Sequence, residues 1–109
     1  MILRGGENIS PVEIEQVLLA HPAVRDAVCF GVPDDKYGEL VGAAVTLAAE
    51  AEVADLVAHC REQLAAFKVP ARIDVLAEIP RTATGKIQRR RVAEVVLGQQ
   101  LAPGRQARP

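Results

Sequence analysis

Ser10-Pro11-Val12-Glu13 opens a helix and His21-Pro22 closes it, so the chain must find a cover for one amphipathic helix almost at once. A hydroxyl at the N-cap, a proline where a missing N–H costs nothing and a glutamate three residues on make a complete start signal. Val12, Ile14, Val17 and Leu18 supply most of an apolar face, and the residue before Pro22 is pushed out of helical backbone. The natural cover follows directly. Residues 24–32 alternate as a strand, with Val24, Val28, Phe30 and Val32 on one face and Ala27, Cys29 and Gly31 on the other. Asp26 interrupts the first of these faces. After the turn-rich Pro33-Asp34-Asp35-Lys36-Tyr37-Gly38, Leu40 to Ala48 returns as a small-residue strand expected to pair with it, and the run Val41 to Leu47 predicts burial on both faces.

The same alternation of periods continues. Val53, Leu56, Val57, Cys60 and Leu64 carry helical spacing that Phe67 extends and Pro70 ends, and Ile73, Val75 and Ala77 alternate as a further strand. Val92, Val95 and Val96 mark a last short helix whose Arg89, Arg90 and Arg91 oppose the helix dipole. Met1 to Arg4 reads as a short strand entering a Gly5-Gly6 turn. Together these predict an α+β domain over residues 1–97, a roughly three-stranded sheet flanked by helices, with a disordered tail over 98–109.

Composition narrows the function. A net charge of −1 gives no field to draw nucleic acid or an anionic membrane, and 3% aromatics leave few platforms for stacking bases. Cys29 and Cys60 are too few for a disulfide framework, and His21 and His59 lack partners at metal spacing, so all four read as structural and no metal site is expected. No apolar run reaches the length of a membrane span and the N-terminus lacks signal-peptide form, which together predict a cytoplasmic protein.

Two polar stretches remain. In Pro80-Arg81-Thr82-Ala83-Thr84-Gly85-Lys86-Ile87-Gln88-Arg89-Arg90-Arg91, the hydroxyls and the glycine suit a mobile loop that presents Lys86, a compact cation fit to meet a growing negative charge on phosphate or carboxylate oxygen. Taken alone, it also reads as a solvated loop leading into a basic helix. Arg4-Gly5-Gly6-Glu7-Asn8-Ile9-Ser10-Pro11-Val12-Glu13-Ile14-Glu15 lies about seventy residues earlier, with Phe67-Lys68-Val69-Pro70 between. In this order the three stretches resemble the C-terminal domain of the adenylate-forming superfamily of acyl-CoA synthetases, peptide-synthetase adenylation domains and luciferases. Thr84-Gly85-Lys86-Ile87-Gln88-Arg89 is closest to the acyl-CoA synthetase form.

The resemblance implies a two-step ligase: a carboxylate attacks the α-phosphate of ATP, then a thiol displaces AMP. Lys86 would stabilise the first step. Gly5, Gly6 and Glu7 would form the CoA-binding loop of the second, with the glycines leaving room for the pantetheine arm, Glu7 and Asn8 would meet substrate or the other domain, and Arg4, Lys68 and Arg81 could reach the phosphates of CoA. The family swings this domain as a mobile lid between the two steps. It also implies a large N-terminal adenylation domain of the same protein as partner, with ATP, Mg2+, CoA and a fatty or other small carboxylic acid bound by the complete enzyme and none by this piece alone. The alternatives are an adenylation domain that loads a carrier protein and a non-catalytic anion-binding module.

Overall fold

In the computed structural model, residues 1–101 are described, with side chains described to Gly98. The elements run β1 (Ile2–Arg4), β2 (Glu7–Ile9), α1 (Pro11–Leu19), β3 (Val24–Asp34), β4 (Gly38–Leu47), α2 (Val53–Gln63), a 3-10 turn (Ala66–Lys68), β5 (Arg72–Val75) and α3 (Arg89–Leu101). All five strands form one sheet, so the α+β class stands and the expected count of about three strands is too low.

The sheet is organised around β4. One of its edges is taken by β3 over ten antiparallel positions from Val24↔Leu47 to Asp34↔Gly38. Its other edge is shared, because β1 meets it antiparallel at Arg4↔Gly38 and β5 pairs with it in parallel from Gly42↔Arg72 to Val45↔Val75. The parallel pair needs a crossover, which α2 and the 3-10 turn provide. Every residue from Val41 to Thr46 is buried, as the unbroken apolar run predicts for a strand covered on both sides.

Two cores result. On one face Ile14 and Leu18 of α1 and Leu56 and Cys60 of α2 pack on Ala27, Cys29, Val41, Ala43 and Val45. On the other, Val92 and Val96 of α3, one helical turn apart, pack with Ile79 on Val28, Phe30 and Ala44. The small residues of β4 make this possible. A Cβ on Gly42 would stand 2.5 Å from Val32 and 3.0 Å from the Phe30 ring, so the glycine is the space that Phe30 fills.

Several expectations change. The pairing register shifts between Val24 and Asp26, and this bulge moves Val24 from the Val28 face to the side of Ala27 and Cys29. Ser10 sits at the N-cap with extended backbone but makes no side-chain cap bond, and the Glu13 carboxylate, the other half of the expected capping box, accepts from Lys68 Nζ at 3.0 and 3.2 Å. Val12 and Val95 are exposed, so α1 buries Pro11, Ile14 and Leu18, and α3 seats on Val92 and Val96. The last helix runs past Gly98 to Leu101. The remainder of the predicted tail, residues 102–109, lies outside the described residues.

The Arg72–Asp74 ion pair is buried. Arg72 and Asp74 of β5 share a face, and the guanidinium donates to both carboxylate oxygens at 2.8 and 2.9 Å. Asp74→Ala removes two charge-assisted hydrogen bonds from this buried guanidinium and is expected to cost about 1.5–3 kcal/mol in urea unfolding, and a loss below about 0.5 kcal/mol would show the pair to be dispensable.

Both cysteines are buried in the first core. Burial pushes the Cys60 thiol up from 9.0 to about 11, and burial together with the Glu15 charge pushes Cys29 up further still. Native protein should resist iodoacetamide at pH 8 at both positions and label fully in denaturant. Since the folded state favours the protonated Cys60, that stabilisation is present below pH 9 and lost as pH climbs through 11. Cys60→Ala should flatten this alkaline decline, measured as the unfolding midpoint against pH.

Candidate functional site

Lys86 projects from a closed hairpin. The Thr82 N–H donates to the Lys86 carbonyl at 2.8 Å and the Gly85 N–H to the Thr82 carbonyl at 2.9 Å, while Arg81 and Ile87 form a β-bridge at the stem. The Gln88 N–H closes the base on the Pro80 carbonyl at 3.2 Å. Gly85 takes φ +91, the left-handed position that completes such a turn and that a side chain would strain. The mobile loop expected from its hydroxyls is thus an ordered turn, because those hydroxyls bond within it: Thr82 Oγ1 accepts from the Lys86 N–H at 3.1 Å and lies 3.0 Å from Thr84 Oγ1.

Two arginines root this hairpin in distant elements. Arg81 reaches Asp26 of β3 at 2.7 Å and the Gly85 carbonyl at 2.9 Å. Arg89, at the start of α3, forks onto Glu15 of α1 at 2.9–3.2 Å, and the same carboxylate accepts the Cys29 N–H at 2.8 Å. Glu15 thereby pairs a basic residue at an unfavourable helix start and covers an amide on the edge strand β3. Lys86 itself is exposed, and its ammonium has no partner among the described residues. Beside the hairpin opens a cleft lined by Arg25, Asp26, Thr46, Ile79, Pro80 and Arg81 among others.

The glycine pair is a second hairpin. Gly5 and Gly6 have φ +56 and +88 between Arg4 and Glu7, which pair across the turn, so two consecutive left-handed residues join β1 to β2. The Gly5 N–H donates to the Tyr37 carbonyl at 2.8 Å, and the Arg4 guanidinium lies 4.4 Å from the Tyr37 ring centre. A Cβ on Gly6 would meet open space, and Glu7 and Asn8 are exposed.

The structure keeps these two candidates apart. Arg4 pairs with Gly38 at the start of β4 and Asp26 with Thr46 near its end, eight positions or about 26 Å along the strand. Of the three candidate phosphate contacts, Lys68 is held by Glu13, Arg81 by Asp26, and Arg4 lies over Tyr37. Sequence reading missed Asp26 and Glu15 as partners and Tyr37 as the floor of the glycine turn. One signal was present, since an acid inside an otherwise apolar strand face, as Asp26 is, needs a partner.

Among the described residues no three His, Cys, Asp or Glu side chains gather as a metal site, and no helix is long and apolar enough to cross a membrane. His21 and His59 stack edge to face at 5.2 Å, and His59 Nε2 donates to the Val17 carbonyl at 2.7 Å in the tautomer that carries hydrogen there.

The chain is similar to several known proteins. The chain is 52% identical over 101 residues to the probable CoA ligase CCL9 of Humulus lupulus, covering 91% of this chain. It is also 52% identical over 96 residues to an oxalate–CoA ligase of Arabidopsis thaliana, covering 86%. The o-succinylbenzoate CoA synthetase of Bacillus subtilis, solved with its acyl-adenylate intermediate, superposes with a TM-score of 0.80 at 42% identity, over 84% of this chain and 19% of that one. The Brucella canis acyl-CoA synthetase gives the same score and identity over 90% of this chain and 19% of its own. The chain spans about a fifth of the length of these relatives, 19% in each curated case. The AMP-binding enzyme C-terminal domain model matches residues 13–86, ending on the hairpin lysine, and this chain belongs to that family.

Proposed function

We propose that residues 1–97 are the C-terminal catalytic lid of an ATP-dependent acid–CoA ligase. The observation that carries this is Lys86, an ammonium without a partner among the described residues, held out by a hairpin that two ion pairs root in the body of the domain. In the first half-reaction a carboxylate oxygen bonds to the α-phosphorus of ATP and pyrophosphate leaves. Lys86 would lie between the two anions and offset their repulsion. In the second, the CoA thiolate attacks the acyl carbonyl and AMP leaves, with Gly5 and Gly6 giving the pantetheine arm close passage. Mg2+ would travel with the ATP phosphates, since the described residues offer it no ligand set.

The partner is the large adenylation domain of the same protein, and the site of action is the cytoplasm, where ATP and CoA are supplied. The substrate is a carboxylic acid; the similar proteins include ligases named for oxalate and 2-succinylbenzoate and, at 37% identity, a fatty acyl CoA synthetase of Mycobacterium tuberculosis.

The test is made in the complete ligase, one half-reaction at a time. Lys86→Ala is expected to lower pyrophosphate exchange a few hundredfold, about 3–4 kcal/mol, while thioester formation from supplied acyl-adenylate survives. Equal loss in both would overturn the role given to Lys86.

Gly6→Val should do the opposite. The side chain enters open space but strains a left-handed residue by about 1–2 kcal/mol and fills the assigned passage, so CoA transfer falls and exchange persists. Failure of exchange with transfer intact would show that the glycine turn serves the other step.

A further inference from the structure

We propose that Asp26 is a positioning residue for Lys86, acting through Arg81. The catalytic consequence rests on the function proposed above; the clamp itself rests on contacts within this chain.

Asp26 stands at a fixed point on the sheet. It pairs with Thr46 across the β3–β4 ladder, and its Oδ2 accepts from the buried Thr46 hydroxyl at 2.9 Å. That leaves Oδ1 for Arg81 at 2.7 Å. The other terminal nitrogen of the same guanidinium donates to the Gly85 carbonyl at 2.9 Å. This carbonyl belongs to the peptide unit whose nitrogen is that of Lys86, and the N–H of that unit donates to Thr82 Oγ1 at 3.1 Å. Both polar ends of one planar peptide are therefore held, and the plane sets the direction in which the Lys86 side chain leaves the backbone. Restraint is needed here because Gly85 has φ +91 and nothing within 4 Å of where a Cβ would stand, so sterics alone do not fix the plane.

Arg81 was a candidate contact for phosphate. In this geometry its work is internal: it transmits the position of a carboxylate 55 residues away in sequence to the peptide of Lys86. The Glu15–Arg89 pair still holds the far root of the hairpin, so losing the clamp should loosen Lys86 without releasing it.

Two measurements test this. In the chain itself, the Asp26→Ala and Arg81→Ala variants should each lower the 15N order parameters of the Gly85 and Lys86 amides from the rigid range near ~0.85 towards ~0.6, with the Gly5 and Gly6 amides unchanged. Arg81 is more exposed than Asp26, at 40% against 25% of the side chain, so its variant keeps the fold if Asp26→Ala does not. Rigid Gly85 and Lys86 amides in a folded variant would overturn the clamp. In the complete ligase, each substitution should slow pyrophosphate exchange about tenfold through kcat, with transfer from supplied adenylate within about twofold. The double variant should be no slower than either single one. Additive losses would mean that Arg81 meets substrate directly and would overturn the positioning role, as would an equal loss in both half-reactions. If Lys86→Ala itself spares exchange, the proposed function fails instead, and the order parameters alone decide the clamp.

Discussion

The pairing of β3 with β4 is the constraint on which the rest of the molecule depends. Ten paired positions make a stiff ribbon, and the small residues Gly42, Ala43 and Ala44 at its middle let helices approach both faces. A larger side chain at Gly42 would collide with Val32 and Phe30, and the second core would lose the ring around which α3 seats. Both candidate elements hang from the ribbon. The glycine hairpin is fixed at Gly38 and Tyr37, and the lysine hairpin reaches Asp26 near the other end.

The periodic parts of the fold were legible because each element carries enough apolar residues to declare its period. β4 and α2 show this best, the one by an unbroken run and the other by Val53, Leu56, Val57 and Cys60. β2 was not legible. Glu7-Asn8-Ile9 has one apolar residue and exists because the two left-handed glycines fold it onto β1, so its cause lies in the turn and not in the strand. The face of Val24 was misread for a related reason: a bulge inserts one residue, and strict alternation cannot register an insertion. The Glu13 half of the capping box was lost to competition, since Glu13 has a lysine within reach that lies 55 residues along the chain.

The candidate site divides in the same way. Lys86, Gly5 and Gly6 were visible as local motifs, and the backbone geometry at the glycines agrees with the turns expected of them. What holds Lys86 was not visible. Its hairpin is rooted by Asp26 and Glu15, which approach only after the sheet has formed and α1 has packed on it. Long-range ion pairs have no period and no spacing, so a sequence shows at most the anomaly that one partner creates, such as an acid in an apolar strand face. The hydroxyls of Thr82 and Thr84 were misjudged for the converse reason. They bond inward and stiffen the turn, whereas composition alone suggested a solvated loop.

The separation of the two hairpins bears on how one domain could serve two half-reactions. About 26 Å of paired strand lies between Arg4 and Asp26, and a ribbon buried from Val41 to Thr46 does not bend by that amount without breaking ladder bonds and both cores. Under the proposed function, then, Lys86 and the Gly5–Gly6 turn cannot act on one acyl group at the same moment. Each must be delivered by turning the domain as a body, with the deformation placed in whatever chain joins it to its partner. Such a rotation gains from stiffness inside the moving part. The buried Arg72–Asp74 pair, the Glu15–Arg89 tie across the β3 edge and the Asp26–Arg81 clamp all oppose internal motion, so rotation of the whole carries each hairpin to a defined place.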